Sequence, residues 1–400
     1  MLTSRLSGAR RSRTILGLMV VVLTSTLIAA CGSSKGSGAN SNAAGLTVSQ
    51  LTSILNTDLS KLGMTSSQLG DLSSELTVPP AWVDGARKEG KVIIQTDQHP
   101  DVTDQLKKAF EERYPYIQAD FVYGSTSDNR STQALTAFKQ GKSITDIVGG
   151  ITSTLQTFVT AGALVKVSDL PVWSDIPTSS KDSAGYWIGY ATKFWGIGYN
   201  TDKVKVADLP KTWQDVIADP RFKQGDFGIS DKPELFVYQL DAKYGAPFAQ
   251  QFSKDLFALK PQLRSEGQGA VPQLLANGTI SLLMPAASYS ISQLAAQGAP
   301  VSWYTPQPPI SNPSDLEIMS NATNIDAARI FVNWEASTEG QVIASEAEAI
   351  SPVNDQLKTV TKLFPYPDQV TNRDWLYTPP DQKIAIAAEI DPIWKADWSK

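Results

Sequence analysis

Lys91-Val92-Ile93-Ile94-Gln95-Thr96-Asp97-Gln98-His99 opens the stretch that decides the fold. The apolar run from Val92 to Gln95 suits a short buried strand, and a polar turn follows it. Val102, Leu106, Ala109 and Phe110 then mark the inner face of a helix. Ile117 to Tyr123 reads as a second strand. Ala134, Leu135 and Phe138 face inward from the next helix, which Gly141 is placed to end. Ile144 to Val148 reads as a third strand, with Gly149-Gly150 at its carboxyl end. Strands alternating with helices predict a mostly parallel α/β sheet, because parallel neighbours need crossovers. In open sheets of that kind, ligands sit beyond the carboxyl ends of the strands.

Downstream the rhythm breaks at two aromatic-rich runs, Tyr186 to Tyr190 and Phe194 to Tyr199, separated by Ala191, Thr192 and Lys193. Two extended segments here would carry the chain between lobes. A second series follows: a helix near Thr212 to Ile217, a strand from Asp226 to Ile229, and a helix from Glu234 to Tyr244. A helix around Val271 to Leu275 then leads into a strand from Ile280 to Met284. Val301 to Tyr304 reads as a last strand. The turn Pro306-Gln307-Pro308-Pro309 would return the chain to the first lobe, with largely helical sequence beyond.

The 400 residues suffice for two α/β lobes, and the composition is globular, 42% hydrophobic and 19% charged. A net charge of −5 gives nucleic acid no electrostatic attraction. Arg5, Arg10, Arg11 and Arg13 precede an apolar run from Ile15 to Ala30, the pattern of a signal peptide over 1–30. That run is shorter than the roughly 20 residues that span a bilayer comfortably. Ile28-Ala29-Ala30-Cys31 resembles a bacterial lipobox, which implies cleavage before Cys31 and lipid attachment to it. The alternative is an incidental cysteine after an uncleaved anchor. Cys31 is the only cysteine, so disulfides, zinc thiolates and cysteine nucleophiles elsewhere are excluded.

Residues 31–45, rich in Gly, Ser, Asn and Ala, read as a flexible tether. Gly32-Ser33-Ser34-Lys35-Gly36 matches the hydrolase elbow pattern, but it has neither the strand before it nor the helix after it that the elbow requires. Over 46–80, Leu51, Leu55, Leu59, Leu62, Leu69, Leu72 and Leu76 recur at helical spacing. This leucine-rich extension either docks on its own protein or pairs with a partner helix.

Several segments resemble the bacterial extracellular solute-binding proteins. They are Asn324-Ile325-Asp326-Ala327-Ala328-Arg329-Ile330-Phe331-Val332-Asn333-Trp334 with Ser337-Thr338-Glu339-Gly340-Gln341, then Ser351-Pro352, Ala86 to Val92, Gly196 to Asp202, and Leu275-Ala276-Asn277-Gly278. The likeness spans roughly Ala81 to Lys400 and is nearest the ferric-ion and related group. It implies a two-lobed type II periplasmic-binding fold with hinge strands and a central cleft. The first lobe would begin over 81–190, the second would occupy 191–305, and 306–400 would return to the first lobe and supply the C-terminal helices. The implied role is extracytoplasmic: a monomer held at the outer face of the membrane captures a small molecule, closes on it, and delivers it to an ABC importer permease. No cofactor or catalytic residue is implied.

Candidate ligand-binding residues come from the loops after the strands: Thr96, Asp97 and His99, then Tyr123, Gly124, Ser125 and Thr126, then Gly150. Glycine lets backbone approach a ligand, and hydroxyls and amides at a helix start hold anionic oxygen. Ser125 or Ser127 serves equally well as a helix cap. His99, the sole histidine, reads more simply as a solvated loop residue. Tyr190 at the hinge and Ser230, Gln268, Ser288 and Tyr289 from the second lobe complete the set; the tyrosines are otherwise core. The resemblance also allows a test for iron. Ferric-binding relatives use an adjacent tyrosine pair after this second-lobe strand, whereas Pro285-Ala286-Ala287-Ser288-Tyr289-Ser290 offers one tyrosine. An organic or oxyanionic solute is therefore preferred to ferric ion. Two other classes compete. One is a cleft enzyme, for which no P-loop, dinucleotide fingerprint or metal-ligand spacing is present. The other is a surface assembly protein built on the leucine-rich extension.

Overall fold

Val92 and Ile94 are fully buried in β1 (Lys91–Thr96), which pairs in parallel with β2 (Gln118–Tyr123) and with β3 (Ile147–Gly149). The computed structural model describes residues 72–98, 100–124, 127–151, 154–222, 225–266, 270–372 and 374–399. The signal-peptide, tether and Cys31 assignments, and the extension before residue 72, lie outside the described residues.

Two long strands join the halves. β4 (Ile188–Asn200) runs antiparallel to β9 (Ile310–Ile318), with Ile188 opposite Leu316 and Trp195 opposite Ile310. β9 continues into the first lobe beside β3. β4 continues into the second, beside β7 (Leu282–Ala287) and β8 (Val301–Tyr304). β5 (Phe227–Ser230) and β6 (Gln262–Arg264) extend the sheet, giving the order β2-β1-β3-β9-β4-β7-β5-β6. The expected pair of hinge segments is thus one 13-residue strand on the β4 side, and its partner β9 is a strand that the sequence reading placed in helical territory. The expected boundary between 190 and 191 falls inside β4.

The first lobe packs helices Pro80–Glu89, Pro100–Arg113, Ile325–Ala336 and Thr338–Glu348 on one sheet face, where Phe110, Phe331 and Trp334 meet edge to face. Ser127–Lys139 and Leu155–Thr160 cover the other face. Helix Leu72–Leu76, the described end of the leucine-rich extension, is seated on this lobe with Leu76 buried. In the second lobe, Val237–Tyr244 and Ala246–Ala258 pack one face and Ser288–Ala296 the other. The return of 306–400 is incomplete: helix Pro380–Trp398 packs on Val237–Tyr244 and Ala246–Ala258, burying Ile386, Ile390 and Trp394 in the second-lobe core. Among the described residues, no helix is long and apolar enough to cross a membrane.

Candidate binding site at the strand crossing

Register decides where the strand ends meet. Gly149, at the end of β3, lies opposite Leu316, and Ala287, at the end of β7, lies opposite Trp195. Strands of the two lobes therefore run toward each other and stop at one crossing, residues 188–195 of β4 against 310–316 of β9.

Asp97, immediately after β1, meets two cations there. Its Oδ2 is 3.5 Å from Lys193 Nζ on β4 and 3.8 Å from Arg130 Nη2. Burial opposes ionisation of Asp97, but Lys193 and Arg130 outweigh it and hold the carboxyl below its ordinary range. Arg130 donates from Nε to the Gly149 carbonyl (2.9 Å), from Nη2 to that of Gly150 (2.6 Å) and from Nη1 to that of Gly124. One guanidinium thus gathers the ends of β2 and β3. Both glycines make room for it. A Cβ on Gly124 would fall 2.7 Å from Arg130 Cγ. Gly150, at φ +66°, would put one 2.7 Å from Arg130 Nη2 and 3.1 Å from Asp97.

From the second lobe, Ser288 and Tyr289 open helix Ser288–Ala296 directly after β7. Ser288 is buried. Tyr289 packs against both main cores, and its ring centre is 5.9 Å from Lys193 Nζ. Ser230 ends β5 with its Oγ buried and, among the described residues, without a hydrogen-bond partner. Asn312 faces Lys193 across the β4–β9 pair. Gln239 Nε2 donates to Asn312 Oδ1 at 2.8 Å, while Gln239 Oε1 has no described partner.

Ionisable groups continue along the crossing. Asp315 and Glu317 of β9 are fully buried, and burial, then the adjoining Asp315 carboxyl, holds Glu317 well above the ordinary range. Lys383 reaches in from helix Pro380–Trp398. Burial lowers it to about 8 against the opposing pull of Asp315 and Glu234. Tyr377 is raised by burial and by Asp315. On the first-lobe side Glu335 is buried, and its Oε1 accepts from Gln98 Nε2 at 3.1 Å. Burial, with Glu348 and Asp97 nearby, pushes it up to about 8.

The sequence-predicted residues divide accordingly. Asp97, Gly124, Gly150, Tyr190, Ser230, Ser288 and Tyr289 gather at the crossing. Tyr190 is buried there, where the charges of Asp97, Glu348 and Glu335 reach it. Thr96 does not join them: its buried Oγ1 donates to Gln98 Oε1 and accepts the Gln98 N–H, both at 3.2 Å. Tyr123 is 43% exposed and lines a separate cavity of about 270 Å³ with Gln98, Thr103, Lys107 and Asp120. His99, Ser125, Thr126 and Gln268 lie outside the described residues.

The model of the family described as bacterial extracellular solute-binding protein matches residues 105–373, both arms of the crossing included. The chain belongs to that family. No curated protein matches this solute-binding protein. Among solved structures, iron-bound HitA from Pseudomonas aeruginosa has 19% identity and a TM-score of 0.63, covering 77% of this chain and 99% of that one. An ABC transporter substrate-binding protein from Bradyrhizobium japonicum gives 17%, 0.63, 77% and 99% in the same measures. The ferric binding protein from Campylobacter jejuni gives 16%, 0.63, 76% and 99%. The fold is thus the two-lobed periplasmic-binding type, and the family is a solute-binding family rather than an enzyme family. In this solute-binding protein Arg130, Lys193, Gln239, Asn312, Asp315, Glu335 and Lys383 at the crossing were not singled out from sequence. Lys193 carried a signal: a lone cation between two aromatic hinge runs.

Proposed function

We propose that this protein captures a small polar organic or oxyanionic solute at the β4–β9 crossing, closes its lobes over it, and hands it to the permease of an ABC importer, tethered to the outer face of the membrane by lipid on Cys31. The observation that carries the reading is the set of buried polar atoms without described partners around the facing strand ends: Ser230 Oγ, Gln239 Oε1, Thr192 Oγ1 and Thr378 Oγ1. Buried polar groups ordinarily find partners, so such a group of unmatched atoms is suited to a polar guest. A guest shifts the open–closed balance only as far as it binds the closed form better, and β4 and β9 are the strands that would absorb the rotation.

Thermal-shift screening of the full chain against carboxylates, phosphonates, sugars, polyamines and metals tests the capture role. A true ligand at about a hundred times its dissociation constant raises stability by about 2.7 kcal/mol. A chain that no small molecule stabilises, or that chemically alters its guest, defeats the reading. For the tether, the Cys31→Ala variant is expected in the soluble fraction, with the native chain in the membrane fraction. Ferric ion is the second reading, favoured by what the HitA and Campylobacter jejuni structures are named for and by the Tyr289 phenol. An intense phenolate absorption band on adding ferric iron would decide for it.

A further inference from the structure

Lys193 occupies an unusual position for a lysine. It lies in the middle of β4, with its side chain only 17% exposed. Its ammonium rests between a first-lobe carboxylate, Asp97 at 3.5 Å, and a second-lobe phenol ring, Tyr289 at 5.9 Å. The charge of Glu348, at the end of helix Thr338–Glu348, also bears on it. That helix end reaches the second lobe, since the Glu348 carbonyl accepts from Gln293 Nε2 at 3.3 Å, one turn beyond Tyr289. Carboxylate and phenol oxygens are donors that a hard multivalent cation favours. Here a cation is already present, carried by the chain.

A structural ion pair would account for less. Asp97 already has Arg130 beside it at 3.8 Å, and that guanidinium is fixed by three carbonyls. Arg130 therefore stays beside Asp97 when the Lys193 ammonium turns to a guest. Among the described residues, the one side-chain hydrogen bond of Lys193 is to Asp97, and an ammonium has three donors. Across the strand pair lie Asn312 and then the unmatched Gln239 Oε1.

We propose that Lys193 is the specificity-determining residue of the crossing: its tethered ammonium takes the place of a free cation between Asp97 and Tyr289, so the site selects a small guest that brings an anionic oxygen group to Lys193 and rejects metal ions. The inference rests on the reading that the crossing is where the guest binds. The charge class of the guest is then set by one side chain. The remaining floor groups, an amide oxygen and hydroxyls, match hydroxyl or amine substituents on the same guest.

Terbium(III) chloride is a suitable probe, because tyrosine sensitises its luminescence only at close range. It is added to the full chain in detergent, alongside the Lys193→Met, Lys193→Gln and Lys193→Arg variants. The expected result is weak sensitised emission from the native chain and Lys193→Arg, and at least about tenfold tighter terbium binding in Lys193→Met or Lys193→Gln. Adding Tyr289→Phe to Lys193→Met should abolish the gain. For whichever guest stabilises the native chain, affinity should fall about tenfold or more in Lys193→Met and Lys193→Gln and be largely kept in Lys193→Arg. Having two neutral variants keeps the test intact should one fail to fold. Equal terbium binding by native and neutral variants overturns the proposal, as does a guest held equally well without the charge. The failure of every small molecule to bind the native chain instead defeats the capture role itself, a separate outcome.

Discussion

Glu335 shows what a single buried carboxyl does to the stability of this protein. Its Oε1 accepts from Gln98, while burial, Glu348 and Asp97 disfavour the charge and push it up from 4.5 to about 8. The folded form therefore holds this proton more tightly than the unfolded chain does. The associated stabilisation is fully present below about pH 4.5 and is lost as pH rises through about 8, at up to about 1.4 kcal/mol per pH unit for one proton. In Glu335→Gln the amide oxygen can still accept from Gln98, and no proton is linked to folding. Denaturant unfolding at a series of pH values should give a flatter stability profile between about pH 5 and 8 for the variant than for the native chain. Parallel profiles would show that Glu335 is ionised in the fold. None of this was legible in the sequence, where Glu335 is one acidic residue in an amphipathic helix. Its partner Gln98 is 237 residues away, and Asp97 and Lys193 are 96 apart. Loops after strands could be found from pattern. Which long charged side chains reach them could not, because that depends on contacts far apart in sequence.

At the scale of elements, pattern reading succeeded where one face is apolar and failed where strands cross. The strand expected from Val301 to Tyr304 is β8 without change, and the first two strands shift by one residue at most at either end. β9 went unread because Ile310-Ser311-Asn312-Pro313-Ser314-Asp315-Leu316-Glu317-Ile318 carries a proline flanked by adjacent polar pairs and so lacks the alternation that marks a strand. Ser311, Ser314, Asp315 and Glu317 are nevertheless buried, because β9 runs through the middle of the sheet. A strand that furnishes a polar site breaks the rule by which strands are recognised. The segment expected to be a helix from Thr212 to Ile217 is only the 3-10 turn Trp213–Asp215 with a Thr212–Asp215 capping box. Helix Leu72–Leu76 had been left open between self-docking and partner binding. Its Glu75 carboxylate accepts from the Thr338 N–H and Oγ1, both at 2.7 Å, and from Asn354 Nδ2 at 3.3 Å. Its Oε oxygens thus cap the buried amide end of helix Thr338–Glu348, and the Glu75 carbonyl accepts from Asn333 Nδ2 at 2.8 Å. Glu75→Ala leaves that buried amide without its acceptor and should cost about 2 kcal/mol in urea unfolding. A loss within about 0.5 kcal/mol, the range of an ordinary surface substitution, would mean the segment is not held there in solution.

The whole molecule is tied together by strands rather than by its ends. The described amino-terminal helix is fastened to the first lobe, and helix Pro380–Trp398 is fastened chiefly to the second. Among the described strands, β4 and β9 are the pair that joins the sheet of one lobe to that of the other. Trp394 probes the consequence. It is 2% exposed and lies edge to face with Phe236 at 5.7 Å and Phe257 at 4.9 Å. Trp394→Ala opens a cavity in the second-lobe core and should remove about 3–5 kcal/mol. Were the lobes independent, calorimetry would resolve a second-lobe transition moving down while a first-lobe transition stayed in place. Melting the second lobe, however, strips β4 of β7 and β8, and β4 is the neighbour that covers β9. β9 in turn is the neighbour of β3, and its buried Asp315 and Glu317 would be released to water. The loss therefore passes through the crossing into the first lobe. The expected outcome is one calorimetric transition shifted downward as a unit, with amides of β1 and β3 losing exchange protection together with those of β5 and β7. Two separated transitions in the variant would mean that β4 and β9 link the lobes without coupling their stability.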